Sequence, residues 1–205
     1  LLKSEDLNKK FVLGGISYKS KAKKRSSFLK NIKFYNSPLK LVKDNNIDLI
    51  IELIGGDSGI AKELAFSSIT YKKPFITANK ALIAKHGIEL SNVSKKNNTF
   101  IGFEAAIAGG IPIVKVIKES LISNKIEQIT GILNGTSNYL LDEIEKKSLN
   151  FETVLKKAQQ LGYAEKDPTF DVEGIDAAHK ISILSALVFN KMPDTDLMHV
   201  KGISK

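Results

Sequence analysis

IDLIIELIGG, residues 47–56, is a nearly unbroken apolar run stopped by two adjacent glycines. A run of this kind suits a strand buried on both faces of a parallel sheet. The chain on either side alternates accordingly. Downstream, a helix is predicted over residues 59–72, a short strand over 74–78, a helix over 81–96 broken or kinked near Gly87, and a further strand over 99–104. Upstream, residues 37–46 (SPLKLVKDNN) read as a short helix with Ser at its start and Pro in its first turn. Residues 11–16 (FVLGGI) read as another strand. Strand–helix alternation is the doubly wound α/β pattern, whose ligands sit outside the carboxyl ends of the strands. Gly55–Gly56 and Asn79–Lys80 fall at two such ends, although an ordinary turn would explain a glycine pair equally well. No Gly-x-Gly-x-x-Gly occurs, so a first strand with its phosphate-binding turn is expected upstream of residue 1.

Beyond Gly109–Gly110 the pattern changes. Residues 111–123 have helical spacing behind a Pro, and residues 125–133 (KIEQITGIL) alternate like a strand of an open sheet. Thr136 or Ser137 is placed to cap a helix containing Tyr139, Leu140, Leu141 and Ile144. Residues 151–161 form an amphipathic helix ending at Gly162, a natural C-terminal stop. These breaks divide the chain near residue 100, into segments 1–100 and 101–205.

Composition narrows the classes. At 205 residues and 42% hydrophobic content the chain can bury a real core. It has no run approaching the roughly 18–20 apolar residues of a membrane helix, and no signal peptide is expected. The absence of cysteine excludes a disulfide framework and thiolate metal sites, and suits a cytoplasmic location. The net charge of +9 comes mostly from scattered lysines, without Trp or a zinc signature, so no nucleic-acid partner is expected.

Chemistry concentrates in LGYAEKDPTFDVEGIDAAHK, residues 161–180. A helix over 175–189, preceded by Gly174, places Ala177, Ile181, Leu184, Leu187 and Val188 on one apolar arc at about 100° per residue. Asp176 and Lys180 project into that arc. An i,i+4 ion pair at a helix start explains them modestly. A buried lysine with a carboxylate partner kept for chemistry explains them as well. His86 and His179 carry no comparable pattern.

Several segments, in order, resemble homoserine dehydrogenase: ELIGG (52–56), TANKALIAKHG (77–87), FEAAIAGGIPIV (103–114), GILNGTSNYLL (131–141) and residues 161–180. The similarity covers roughly residues 47–190. It implies an incomplete Rossmann-like parallel sheet, a partial NAD(P)-binding domain over residues 1–100, followed by a partial α+β catalytic and dimerisation domain over 101–205. It also implies NAD(P)H-dependent interconversion of L-aspartate 4-semialdehyde and L-homoserine, on the route to threonine, isoleucine and methionine, in a homodimer or homotetramer. Residue by residue, the resemblance makes Lys180 the proton donor and Asp176 an acid of the substrate site. Glu165 becomes the carboxylate that holds the substrate's amino group, with Tyr163, Asp171 and Thr136 in the same pocket. Lys80 would lie beside the nicotinamide and the reacting carbonyl, and Gly56 and Gly162 would approach the cofactor. Glu104, Ile107, Gly109 and Ile111 match a monovalent-cation site built mainly from carbonyls, such as a sodium site; an ordinary hydrogen-bonded carboxylate is the alternative for Glu104.

These residue types suit the implied reaction, because hydride reduction of an aldehyde leaves negative charge on oxygen that an ammonium can stabilise and protonate. Lys19, Lys21, Lys23, Lys24 and Arg25 follow the strand expected at 11–16 with no acid nearby, which favours NADP over NAD; a solvated loop is the rival reading. The chain is expected to be a fragment, inactive by itself. A non-catalytic nucleotide-binding or interaction module of the same fold is the alternative, and a dehydrogenase of a related semialdehyde a third.

Overall fold

The computed structural model describes residues 11–19, 27–191, 193 and 197–204. The chain divides into two compact units, Leu1–Phe103 and Glu104–Lys205.

The first unit is a three-stranded parallel sheet, β1 (Ile50–Glu52), β2 (Phe75–Thr77) and β3 (Ile101–Gly102), in that spatial order. Helices α1 (Pro38–Lys43), α2 (Ile60–Thr70) and α3 (Lys80–Lys96) intervene in the chain. Ser37 caps α1 ahead of its first-turn proline, as the sequence predicts. The core comprises Val42 of α1, Ile50 and Phe75 of the sheet, Leu64 and Ile69 of α2, and Leu82 and Leu90 of α3.

Three expectations are corrected here. β1 is buried on one face only: Ile50 and Glu52 point inward, whereas Ile51 is 62% exposed. The reason is that α2 and α3 both contact the sheet and cover the face of Ile50, Phe75 and Thr77, leaving Ile51 outside. α3 runs through Gly87 without a break, because Leu82, Ile83 and Leu90 anchor both of its halves in the core. Residues 11–16 form no strand. Only Ile16 bridges in parallel to Phe34, while Phe11 and Val12 are exposed and a strand gains nothing without a ladder partner. Residues 20–26, which include Lys21, Lys23, Lys24 and Arg25, lie outside the described residues; Lys19 is exposed.

Among its described residues, the regular elements of the second unit are all helical. It contains α4 (Glu104–Ile107), α5 (Ile113–Lys115) running into a π turn at Val116–Ser120, α6 (Gly135–Lys147), α7 (Phe151–Leu161), α8 (Thr169–Val172) and α9 (Ile175–Phe189). The helix expected over 111–123 is therefore shorter and changes pitch midway. The strand expected over 125–133 is not formed; its exposed alternating residues, Ile132 among them, find no neighbouring strand among the described residues. Leu140, Val154, Ala158, Ala164 and Val172 pack together as the core between α6, α7 and α8. Fully burying side chains such as Leu140 and Val154 stabilises this unit by about 1.5–3 kcal/mol each.

α7 and α9 keep the bounds the sequence predicts. On α9, however, the buried residues are Asp176, Ser182, Ile183 and Leu184, while Ala177, Ile181, Leu187 and Val188 of the expected apolar arc are only half-buried. α7 ends at Gly162, whose φ of 79° lets the Tyr163 amide reach back to the Ala158 carbonyl at 2.9 Å. That is a left-handed Schellman closure. Gly174, also at φ 79°, turns the chain from α8 into α9. The positive φ favours glycine there, and a Cβ would also crowd Val200 Cγ1 at 3.2 Å.

Candidate functional site

The Leu133–Asn134 step organises the polar centre of the second unit. Asn134 is extended (φ −134°, ψ 122°) and caps α6, its side-chain oxygen accepting the Ser137 amide at 2.7 Å. The cap is thus Asn134, not Thr136 or Ser137. Its amide nitrogen points the other way and donates to Asp171 Oδ1 at 2.7 Å and to Asp176 Oδ2 at 3.0 Å. Asp176 lies in the first turn of α9 and is 3% exposed. One turn later, the Lys180 ammonium sits 2.8 Å from that same Oδ2 and donates to the Leu133 carbonyl at 2.7 Å. Thr136 Oγ lies 2.7 Å from the Tyr163 carbonyl and 3.0 Å from Asp171 Oδ2, while Ser137 Oγ donates to the Asp171 carbonyl. The predicted residues Lys180, Asp176, Asp171 and Thr136 are therefore brought into one cluster. Asn134, whose role has no local signal in the sequence, ties them together.

The electrostatics of the cluster are mixed. Burial pushes the Lys180 ammonium below its usual 10.5, against the opposing attraction of Asp171. The nearer Asp176 carboxylate also favours the charged form. An ammonium has three N–H donors; Asp176 and Leu133 take two, which leaves one for a ligand oxygen.

Tyr163 and Glu165 sit further out. The Tyr163 ring is 58% exposed and stacks on Tyr139 at 4.7 Å between centroids. Glu165 is exposed, and its backbone carbonyl accepts from the Gln159 amide; its carboxylate takes no part in the lysine cluster. An open cavity of about 500 Å³ is lined by Gly135, Thr136, Tyr139, Gly162 and Tyr163, with Asn138 and Asp142. Neither Lys180 nor Asp176 lines it; Thr136 at its wall bonds to Asp171, which Asn134 links in turn to Asp176.

In the first unit, a buried carboxylate that the sequence reasoning passed over holds the strand ends. Glu52 is 1% exposed; it accepts from the amides of Ile54 and Gly55 and from the Thr77 hydroxyl. Thr77 in turn accepts the Asn79 amide at 2.8 Å, and the Asn79 side chain donates to the Gly56 carbonyl at 2.6 Å while capping α3 at Leu82. Lys80 is the first residue of α3. The network thus fixes Gly56 and Lys80 relative to each other. The available signal was a lone glutamate inside an apolar run followed by glycines. Gly55 and Gly56 both have positive φ (85° and 81°), and a Cβ built on either meets nothing within 4 Å. Such an open, side-chain-free turn at a strand's carboxyl end suits close approach of a dinucleotide.

Glu104 caps the following turn, its carboxylate accepting the amides of Val114 at 2.7 Å and Lys115 at 3.2 Å. Ile107 is buried, Gly109 and Ile111 are exposed, and the Ile111 carbonyl accepts from Ile113 at 2.8 Å. Among the described residues no group of three or more His, Asp or Glu side chains could hold a metal ion. His86 contacts the Asp57 carbonyl, and His179 packs edge-on against Phe170. No helix among the described residues is long and apolar enough to cross a membrane.

A parallel α/β unit with a glycine turn at a strand end, joined in sequence to a helical unit that sequesters a lysine against a carboxylate, defines a mixed α/β protein with a Rossmann-like sheet. Solved structures carry the same fold. A homoserine dehydrogenase from Thiobacillus denitrificans superposes with a TM-score of 0.79 at 47% identity, covering 85% of this chain and 40% of that one. A hyperthermophilic archaeal homoserine dehydrogenase in complex with NADPH superposes at 0.74 with 29% identity, covering 82% of this chain and 52% of that one. Residues 112–205 match the sequence model of homoserine dehydrogenase. The homoserine dehydrogenase of Neisseria gonorrhoeae is 49% identical over 172 residues, 84% of this chain and 39% of its own length. That of Pseudomonas aeruginosa is 50% identical over 159 residues, 78% of this chain and 36% of its own. The chain belongs to the homoserine dehydrogenase family, and it spans less than half the length of these curated relatives.

Proposed function

We propose that these residues carry the proton-transfer and substrate-holding part of a homoserine dehydrogenase, reducing L-aspartate 4-semialdehyde to L-homoserine in the synthesis of threonine, isoleucine and methionine. The observation that supports this most directly is the Lys180 ammonium, held by Asp176 Oδ2 and the Leu133 carbonyl with one N–H left over. Reduction of an aldehyde adds a hydride at carbon and a proton at oxygen. A nicotinamide cofactor, NADP in our reading, supplies the hydride when bound. Gly56, Lys80 and Gly162 would hold it, and the open glycine turn at Gly55–Gly56 fits that task. Lys180 directs its remaining N–H at the carbonyl oxygen, stabilises the charge that develops there and gives up its proton as the alcohol forms. Asp176 keeps the ammonium oriented throughout and favours its reprotonation.

The substrate's own ammonium group calls for carboxylates, and exposed Glu165 is the residue that would take it. Thr136, Asp171 and Tyr163 would shape the rest of the pocket. A monovalent cation such as sodium on Glu104, Ile107, Gly109 and Ile111 would be structural. Its all-oxygen donor set suits a hard cation. The Glu104 side chain, however, already serves the Val114 and Lys115 amides, so the carbonyls would carry most of the coordination. A homodimer or homotetramer in the cytoplasm belongs to the same proposal.

The test is NADPH oxidation with aspartate 4-semialdehyde by the protein expressed from its complete reading frame. Lys180→Ala is expected to lose roughly 10²–10⁴-fold in rate with its circular dichroism spectrum unchanged. Equal rates for wild type and variant would remove Lys180 from the chemistry. No rate in either would favour a non-catalytic module of the same fold.

A further inference from the structure

The Leu133–Asn134 step clamps both members of the lysine–aspartate pair at once. The Leu133 carbonyl accepts from Lys180, and the neighbouring Asn134 side chain donates to Asp176 on the very oxygen that Lys180 uses. The same amide nitrogen also holds Asp171. Asn134 is buried at 9% exposure, and its own oxygen is spent on capping α6. Neither the cap nor the packing of α6 needs the two outward bonds. Asp or Ser would cap as well, and a cap has no need of a donor.

We infer that Asn134 is a positioning residue: through its amide nitrogen it orients Asp176 and Asp171 and moderates their pull on Lys180. The physical reason is competition for lone pairs. A neutral N–H on Asp176 Oδ2 satisfies part of that oxygen and leaves the ammonium less tightly bound than in an isolated ion pair. An over-tight pair would hold the proton that Lys180 must release; an unsupported carboxylate would let the ammonium wander. Aspartate in place of Asn134 would remove the donor and add a third carboxylate one shared oxygen away from the ammonium. Serine would keep the cap, replace the amide's two donors by one shorter hydroxyl and add no charge.

The inference rests on Lys180 as proton donor for its catalytic meaning, yet its physical content is measurable apart from activity. Among the described residues few other charged groups lie near α9, and Glu173, just before it, accepts from the Ser204 hydroxyl. α8 brings Asp171 and α4 brings Glu104, whose carboxylate is committed to the Val114 and Lys115 amides. The π turn brings Lys118 and Glu119, both exposed. The experiment follows the pH dependence of reductive methylation at Lys180, read by peptide mass spectrometry, in the protein from the complete reading frame. Wild type, Asn134→Asp and Asn134→Ser are compared, with the alkaline limb of the reductive rate measured in parallel. Thermal unfolding identifies any variant that fails to fold.

The methylation midpoint is expected to rise in both variants, by a pH unit or more (about 1–3) in Asn134→Asp and by less in Asn134→Ser. The kinetic limb should follow in the same order, with kcat falling more than KM changes. Midpoints at the wild-type value in both folded variants would overturn the inference and leave Asn134 a helix cap. Midpoints that rise while the kinetic limb stays fixed would uphold the positioning role and instead remove Lys180 as the proton donor. Loss of activity in Lys180→Ala with wild-type behaviour of both Asn134 variants would leave the proton donor standing and the inference overturned.

Discussion

Lys180 sets the pH behaviour expected of the site. Burial lowers its folded-state pKa beneath the usual 10.5. Below that folded value the amine is charged in both folded and unfolded chains, and burying it subtracts from stability. Between the folded value and 10.5 the unfolded chain binds the extra proton, so stability rises with pH across that window. Aldehyde reduction needs the ammonium and should decline with pH through the same folded pKa, while alcohol oxidation should gain. Rate profiles in both directions check this; parallel profiles for the two directions would contradict it. Asp176→Asn removes the nearer carboxylate and is expected to move the alkaline limit of reduction further down in pH. The Asp176–Lys180 spacing was legible in the sequence, since any α-helix places i and i+4 on one face. Asn134 was not, because a residue that caps one helix while donating to two carboxylates 37 and 42 positions away has no local signature.

Two glycines in similar helices make opposite predictions at the level of elements. Gly162 closes α7 at φ 79°, where a Cβ costs about 1–2 kcal/mol. Gly162→Ala should lower thermal stability by that order and loosen the Tyr163–Tyr139 stack. Gly87 lies inside α3 with right-handed backbone, and a Cβ there would touch Ile83 Cγ2 at an ordinary 3.4 Å. Gly87→Ala should therefore stabilise, by about 0.5–1 kcal/mol. Calorimetric unfolding of the two variants gives both signs. The kink expected at Gly87 fails for the reason that favours this substitution: helix propensity is a small local preference, and the buried residues Leu82, Ile83 and Leu90 outweigh it. Residues 125–133 show the converse. Their alternation is strand-like, but a strand is stabilised by its ladder, and no partner lies beside them among the described residues.

For the molecule as a whole, the 205 residues contain no Gly-x-Gly-x-x-Gly turn, and the face of β1 carrying Ile51 is open. We expect these residues alone to bind NADPH weakly and to turn over no substrate. Titration calorimetry decides the binding, and tight binding by the 205-residue chain would refute the expectation. By itself the sequence determined the alternation of β1, α2, β2, α3 and β3, the bounds of α7 and α9, and the family, because periodicity, helix-ending glycines and long shared motifs act locally or are read directly. Tertiary structure alone decided which face of the sheet is covered, that Glu52 braces Gly55 and Gly56, that Glu165 stays outside the lysine cluster, and that Asn134 clamps Asp176 beside Lys180. Those outcomes depend on which distant groups meet, and a buried polar atom is satisfied by whatever donor or acceptor the fold brings to it.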